Sequence, residues 1–121
     1  MKVLGIDNVL FGVGDLKDAI AFYVDEVGLP LKFQVPEAGV AAFTLGDEEP
    51  GLLVRAQPGS ARVWVEVRDA RETAEELRGH GISPLAPPFE VFTGWAFEIA
   101  DPWGNVIGFT DYVKEPTRAR A

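Results

Sequence analysis

The chain states nearly the same pattern twice, 54 residues apart. At that offset Val9 falls on Val63, Val13 on Val67 and Asp15 on Asp69. Further along, Ala42 falls on Ala96, Phe43 on Phe97 and Asp47 on Asp101. Both copies carry an alternating apolar run closed by Asp, a helical stretch, and a later alternating run closed by Asp. A repeat constrains the fold more than composition does, because each copy must bury its apolar face in the same way. It also constrains function: a ligand position in one copy has an equivalent slot in the other.

Val3 to Val13 reads as a strand, with Val9, Phe11 and Val13 on one face and Asn8, Leu10 and Gly12 on the other. Asp15 caps a helix whose stripe is Leu16, Ala19, Ile20, Tyr23, Val24 and Val27, and Gly28 closes it. Strands follow at Leu31 to Val35, Val40 to Leu45 and Leu52 to Arg55, with turns at Gly39 and across Gly46 to Gly51. The second half repeats the order. Arg62 to Val67 alternates, with Val63, Val65 and Val67 against Arg62, Trp64 and Glu66. Asp69 and Glu72 start a helix through Ala70, Thr73, Ala74 and Leu77, ended by Gly79 and Gly81. Strands are expected around Ile82 to Leu85, at Gly94 to Ile99 and at Val106 to Thr110, with a loop at Pro84, Pro87 and Pro88.

The fold class is therefore α+β: two βαβββ modules, about 1–55 and 61–113, in one domain of residues 1–113. The expected architecture is a curved mixed sheet around a cleft with the helices outside. One helix per half covers one sheet face, so the face carrying Asn8, Leu10, Arg62, Trp64 and Glu66 is left for a ligand. Residues 114–121 lack apolar periodicity and are expected to form a disordered tail.

Bulk properties narrow the function classes. A length of 121 residues is one domain's worth. Cysteine is absent, which removes disulfides and thiolate catalysis and suits the expected cytoplasmic location. No run reaches the roughly 18 apolar residues of a membrane span, so no membrane partner is expected. Lys2 and Asp7 flank an opening that reads as a strand rather than a signal peptide. A net charge of −8 argues against nucleic acid. Three basic residues, Lys114, Arg118 and Arg120, sit in the tail, so the body is more acidic still. An acidic cleft draws cationic small molecules, although an acidic surface serves solubility equally well.

The residues I-D-N-V from Ile6, D-L-K-D-A-I-A-F-Y-V-D-E-V-G-L from Asp15, V-W-V-E-V-R-D-A from Val63 and D-P-W-G-N-V-I-G-F from Asp101 resemble the vicinal-oxygen-chelate superfamily. That superfamily includes glyoxalase I, extradiol dioxygenases, and fosfomycin and bleomycin resistance proteins. The resemblance covers residues about 4 to 112. It implies two metal ligands per half, one from the first strand and one from the last. Carried over, the slots are Asn8 and Val54 in the first half, Arg62 and Gly108 in the second. None is a useful ligand: the amide is weak, valine and glycine lack a donor, and guanidinium stays charged. No metal and no other cofactor is expected. His80, the single histidine, follows the second helix as a capping residue.

Aromatic and acidic residues remain as candidates. Trp64 faces the cleft, Trp95 opens the penultimate strand, and Trp103 replaces the Asp more common in the family's D-P-D-G turn. Each also serves as ordinary packing. Glu66 and Glu98 share the face of Arg62, either as acid–base groups or as a structural ion network. Two readings follow. One is a metal-free protein that sequesters an aromatic or cationic small molecule, as bleomycin resistance proteins do, with Asn8, Leu10, Arg62, Trp64, Glu66, Trp95 and Trp103 contacting the ligand. The other is a metal-independent lyase or isomerase with Glu66 or Glu98 as base and Arg62 as electrophile. Self-association as a homodimer is expected from the resemblance and from open sheet edges.

Overall fold

In the computed structural model, residues 1–47 and 50–120 are described. Among them run β1 (Val3–Gly12), α1 (Leu16–Ile20), β2 (Leu31–Val35), β3 (Val40–Phe43), β4 (Gly51–Arg55), β5 (Arg62–Val67), α2 (Ala70–Gly79), β6 (Phe89–Val91), β7 (Gly94–Ala100) and β8 (Val106–Thr110). The class is α+β as expected, and each half runs strand, helix, three strands. The chain divides into two compact units: residues 8–62, and residues 1–7 with the chain from 63 onward.

In the first unit the strands stand in the order β2-β3-β4-β1, with β1 parallel to β4 and the other pairs antiparallel. The helix-side core holds Ala19, Ala41, Phe43, Leu52 and Val54, against Val9, Phe11, Val13, Leu16, Ile20, Tyr23, Val24 and Leu29. Asp15 starts α1 by accepting a hydrogen bond from the Asp18 backbone N–H at 2.9 Å, as an N-cap carboxylate should. After five residues the helix widens into a π-helix, Ala21–Val27, closed by Gly28 at φ 90°. Each wider turn advances the contact face by more than 3.6 residues. Val27, expected on the buried stripe, is therefore exposed, and Leu29 joins the core instead.

The second unit orders its strands β5-β8-β7-β6, with β5 parallel to β8. Val65, Val67, Ala70, Ala74, Leu77, Phe97 and Phe109 form its core under α2. Phe97 and Phe109 stack with centroids 4.9 Å apart, and truncating either to Ala would cost about 3–5 kcal/mol. Asp69 caps α2 through the Glu72 N–H, and a second carboxylate fixes the same helix end. Asp111, fully buried, accepts from the Ala70 N–H at 2.6 Å and the Trp95 N–H at 2.9 Å. Gly94 is required beside it: a Cβ there would lie 2.0 Å from Asp111 Oδ1.

Two expectations need correction. The strand placed around Ile82 to Leu85 is absent, and β6 forms at Phe89–Val91 instead. Pro84, Pro87 and Pro88 remove backbone donors, so regular pairing begins only past the last of them. The tail expected to be disordered over 114–121 is folded back over 114–120, with a 3₁₀ turn at Pro116–Arg118; Ala121 lies outside the described residues. Its basic residues find acidic partners: Lys114 meets Glu90, Arg118 meets Glu115 at 2.8 Å, and Arg120 meets Glu66.

Candidate functional site

Strand alternation sorts the second unit's side chains between two faces. Val65, Val67, Phe97, Phe109 and, partly buried, Trp95, Ile99 and Ile107 belong to the α2 side. Trp64, Glu66, Glu98, Gly108 and Thr110 therefore lie on the face without a helix. Trp64 stands opposite Gly108 in the register, Glu66 opposite Thr110 and Glu98 opposite Gly108. Trp64 is buried because Gly108 lets its indole lie flat on the sheet: a Cβ at Gly108 would come within 2.3 Å of Trp64 Cε3.

Glu66 is 1% exposed, and among the described residues every hydrogen bond to it comes from residue 120. The Arg120 Nη1 donates to Oε1 at 2.7 Å and the Arg120 backbone N–H donates to Oε2 at 2.9 Å. Arg120 Nη2 donates to the Ile6 carbonyl at 2.7 Å. Gly5 makes room for this side chain, since a Cβ there would meet Arg120 Nε at 2.9 Å. Beside it the Tyr112 hydroxyl donates to Asp7 at 2.5 Å. Burial first, then the Asp7 carboxylate, pushes the Tyr112 phenol above its ordinary range.

In the first unit, Asn8, Leu10 and Gly12 alternate away from the helix-side core. Leu10, Gly12, Arg55, Gln57, Gly59, Ser60 and Arg62 line a pocket of about 70 Å³. The linker crosses directly over Gly12, where a Cβ would lie 2.6 Å from the Gln57 carbonyl oxygen.

The candidates therefore separate. Asn8, Leu10, Arg62, Trp64, Glu66 and Glu98 lie off the helix-side cores. Trp95 does not: it packs with the α2 cluster, and the Arg71 guanidinium sits 4.4 Å above its ring. Trp103 is 84% exposed in a turn held by Asp101, whose Oδ1 accepts from the Trp103 and Asn105 N–H groups. The Asn105 side chain and backbone hold the Asp101 carboxyl below its ordinary range.

The metal slots also need revision. Val54 points into the helix-side core and cannot mirror Gly108. Leu10 pairs with Leu53 and Trp64 with Gly108, so the first strands keep the spacing of 54 while the last strands stand 55 apart. An odd offset reverses which face a strand residue occupies. The structural counterpart of Gly108 is thus Leu53, which is no better a ligand. Among the described residues no three His, Cys, Asp or Glu side chains converge, and the Trp64 ring fills the space a donor at 108 would need. This donor set does not fit a divalent ion.

Sequence reasoning missed Asp111, Arg120 and Gly5. The available signal for Arg120 was the basic tail on an acidic body.

A family model described as the Glyoxalase/Bleomycin resistance protein/Dioxygenase superfamily matches residues 5–109. No curated protein matches the chain by sequence. Among solved structures, a variant of methylmalonyl-CoA epimerase from Streptomyces coelicolor with 2-nitronate-propionyl-CoA superposes with TM-score 0.72 at 16% identity, covering 93% of this chain and 99% of that one. Methylmalonyl-CoA epimerase from Mycobacterium tuberculosis gives 0.68 at 19% identity, covering 97% and 93%. A glyoxalase/bleomycin resistance protein/dioxygenase superfamily member from Vibrio splendidus gives 0.65 at 14%, covering 87% and 96%. At these identities the likeness is one of fold.

Proposed function

The chain belongs to the glyoxalase/bleomycin resistance protein/dioxygenase superfamily, and from that premise we propose that it is a metal-independent small-molecule-binding protein. Its ligand is a planar or cationic molecule, and sequestration of an antibiotic is the specific form of the activity. The observation that carries this reading is Glu66, a buried carboxylate on the uncovered face, two residues from Trp64 and already holding a guanidinium. A desolvated carboxylate demands a cation, and the indole of Trp64 on the same strand face would report the ligand's entry through its emission. Tryptophan fluorescence titrated with planar cations, cationic glycopeptides among them, tests the proposal. Saturable quenching with the ligand recovered unaltered supports it, and recovery of a changed product sinks it.

A second reading rests on the other pocket. Arg55 and Arg62 line it with Ser60, a set that suits a carboxylate or phosphate. Two structural neighbours are methylmalonyl-CoA epimerases, one with an acyl-CoA analogue bound. In that reading the protein is a lyase or isomerase in which Arg62 stabilises a developing enolate. Glu66 or Glu98 is the base in that reading. Arg62→Ala should then abolish turnover of an acyl-CoA substrate, whereas equal turnover removes the role.

We also infer self-association as a homodimer. The edge strand β2 exposes Leu31, Phe33 and Val35, an apolar edge that a second copy would cover. Light scattering of the wild type and of Phe33→Lys tests it: a dimer that Phe33→Lys weakens is expected, and a monomeric wild type refutes it.

A further inference from the structure

We propose that the Glu66 slot is a guanidinium-binding site that the chain's own Arg120 fills, so that residues 114–120 act as a strap competing with a cationic ligand. The inference rests on the cation-binding reading above and adds to it the ligand's recognition group and a means of control.

The geometry of the slot is that of a receptor for one planar cation. Glu66 Oε1 takes Nη1, the Ile6 carbonyl takes Nη2, and Gly5 opens the wall against which Nε and Cζ lie. Carboxylate, carbonyl and a glycine-walled gap match the donors and flatness of a guanidinium better than those of an ammonium. The arginine that fills it belongs to the strap, and its side chain remains 33% exposed while that of Glu66 is 2% exposed. The cation thus sits at the mouth of the slot and the carboxylate at its floor.

The strap is fastened by polar contacts. Lys114 is held by Glu90 and by the Thr93 carbonyl, and the Arg118 guanidinium lies 5.7 Å over the ring of Tyr112, whose hydroxyl is held by Asp7. No side chain from Lys114 to Arg120 belongs to either hydrophobic cluster. Such a segment opens at low cost compared with an element that buries apolar surface. Glu66 cannot be left bare when it does, since an unpaired carboxylate at that depth is strongly disfavoured. Opening therefore favours capture of another guanidinium or amidinium. A strap closed nine-tenths of the time would weaken apparent ligand affinity about tenfold.

The experiment titrates the full-length chain with benzamidine, a planar aromatic amidinium, by tryptophan fluorescence and calorimetry. It uses the wild type, Arg120→Ala, Arg120→Gln, and Arg120→Ala combined with Glu66→Gln. Arg120→Gln removes the guanidinium, keeps a polar side chain at the mouth of the slot, and serves if Arg120→Ala folds poorly. The expected result is a gain of about tenfold or more in Arg120→Ala and Arg120→Gln, lost in the double variant. Equal affinity in the wild type and both single variants, abolished by Glu66→Gln, overturns the strap and leaves the cation-binding reading standing. Binding that ignores Glu66→Gln, or no binding in any variant, overturns both.

Discussion

The two halves close the same position by different means. Gly12 and Glu66 stand 54 residues apart, and in each half the segment following the last strand returns to cover that point. In the first half the cover is backbone: Gln57 and Gly59 pass so close to Gly12 that no side chain fits. That cover is tied into the chain on both sides. In the second half the cover is Arg120, whose guanidinium and backbone N–H both rest on the Glu66 carboxylate. One closure is built in and the other is an ion pair, which can be exchanged for a different cation. The difference locates the adjustable part of the molecule in the second half.

The helices differ in the same direction. Asp15 and Asp69 cap α1 and α2 alike, but among the described residues only α2 is also held by a buried carboxylate from beyond the last strand. The largest expected effect therefore comes from Asp111→Ala. It strands the Ala70 and Trp95 N–H groups in the interior and should cost about 3 kcal/mol or more. Asp15→Ala and Asp69→Ala should each cost about 1 kcal/mol, the ordinary value of an N-cap. Urea denaturation of the three variants checks the ranking. Equal losses would mean that Asp111 adds nothing beyond a second cap.

Between those extremes lies Gly108→Ala. The added methyl would drive into the Trp64 ring, so a loss of about 2 kcal/mol is expected, as for overpacking. A red-shifted tryptophan emission should accompany it as the indole is lifted toward water. Unchanged stability and emission would show that the ring is free to move, and would weaken the case against a donor at this position.

The sequence carried the class, the strand–helix order of each half and the sorting of Trp64 and Glu66 onto the uncovered face. All three follow from local periodicity, which a strand of six residues such as β5 displays in full. It did not carry the slot at Leu53. A one-residue difference in spacing accumulates inside a loop, where no periodicity records it, and yet it reverses the face of the strand that follows. Nor did it carry Asp111 or Arg120. Their partners lie 41 and 54 residues away in the chain, and only the folded chain brings them together. Trp95 shares the parity of Phe97 and Ile99, so alternation carries it to the α2 side, away from the face on which a ligand contact is expected.

The smallest expected effect separates the halves by pH. The Tyr112–Asp7 contact belongs to the segment that leads into the strap, and among the described residues it has no equivalent in the linker over 56–60. Burial and Asp7 raise the Tyr112 phenol in the folded state above its value of about 10 in an unfolded chain. A raised folded value contributes stability that is fully present below the unfolded pKa. Above about pH 10 the unfolded chain sheds the phenolic proton while the folded protein retains it, so that contribution falls as pH rises. The stability advantage of the wild type over Tyr112→Phe should therefore be constant from pH 7 to 9 and shrink between about pH 10 and 11, as measured by urea denaturation. The first-half substitution Asp15→Ala should show no such alkaline dependence, its loss remaining the same across that range. A Tyr112→Phe difference that is equally flat would mean that the phenol is not raised, and that the path into the strap is looser than the Asp7 contact implies.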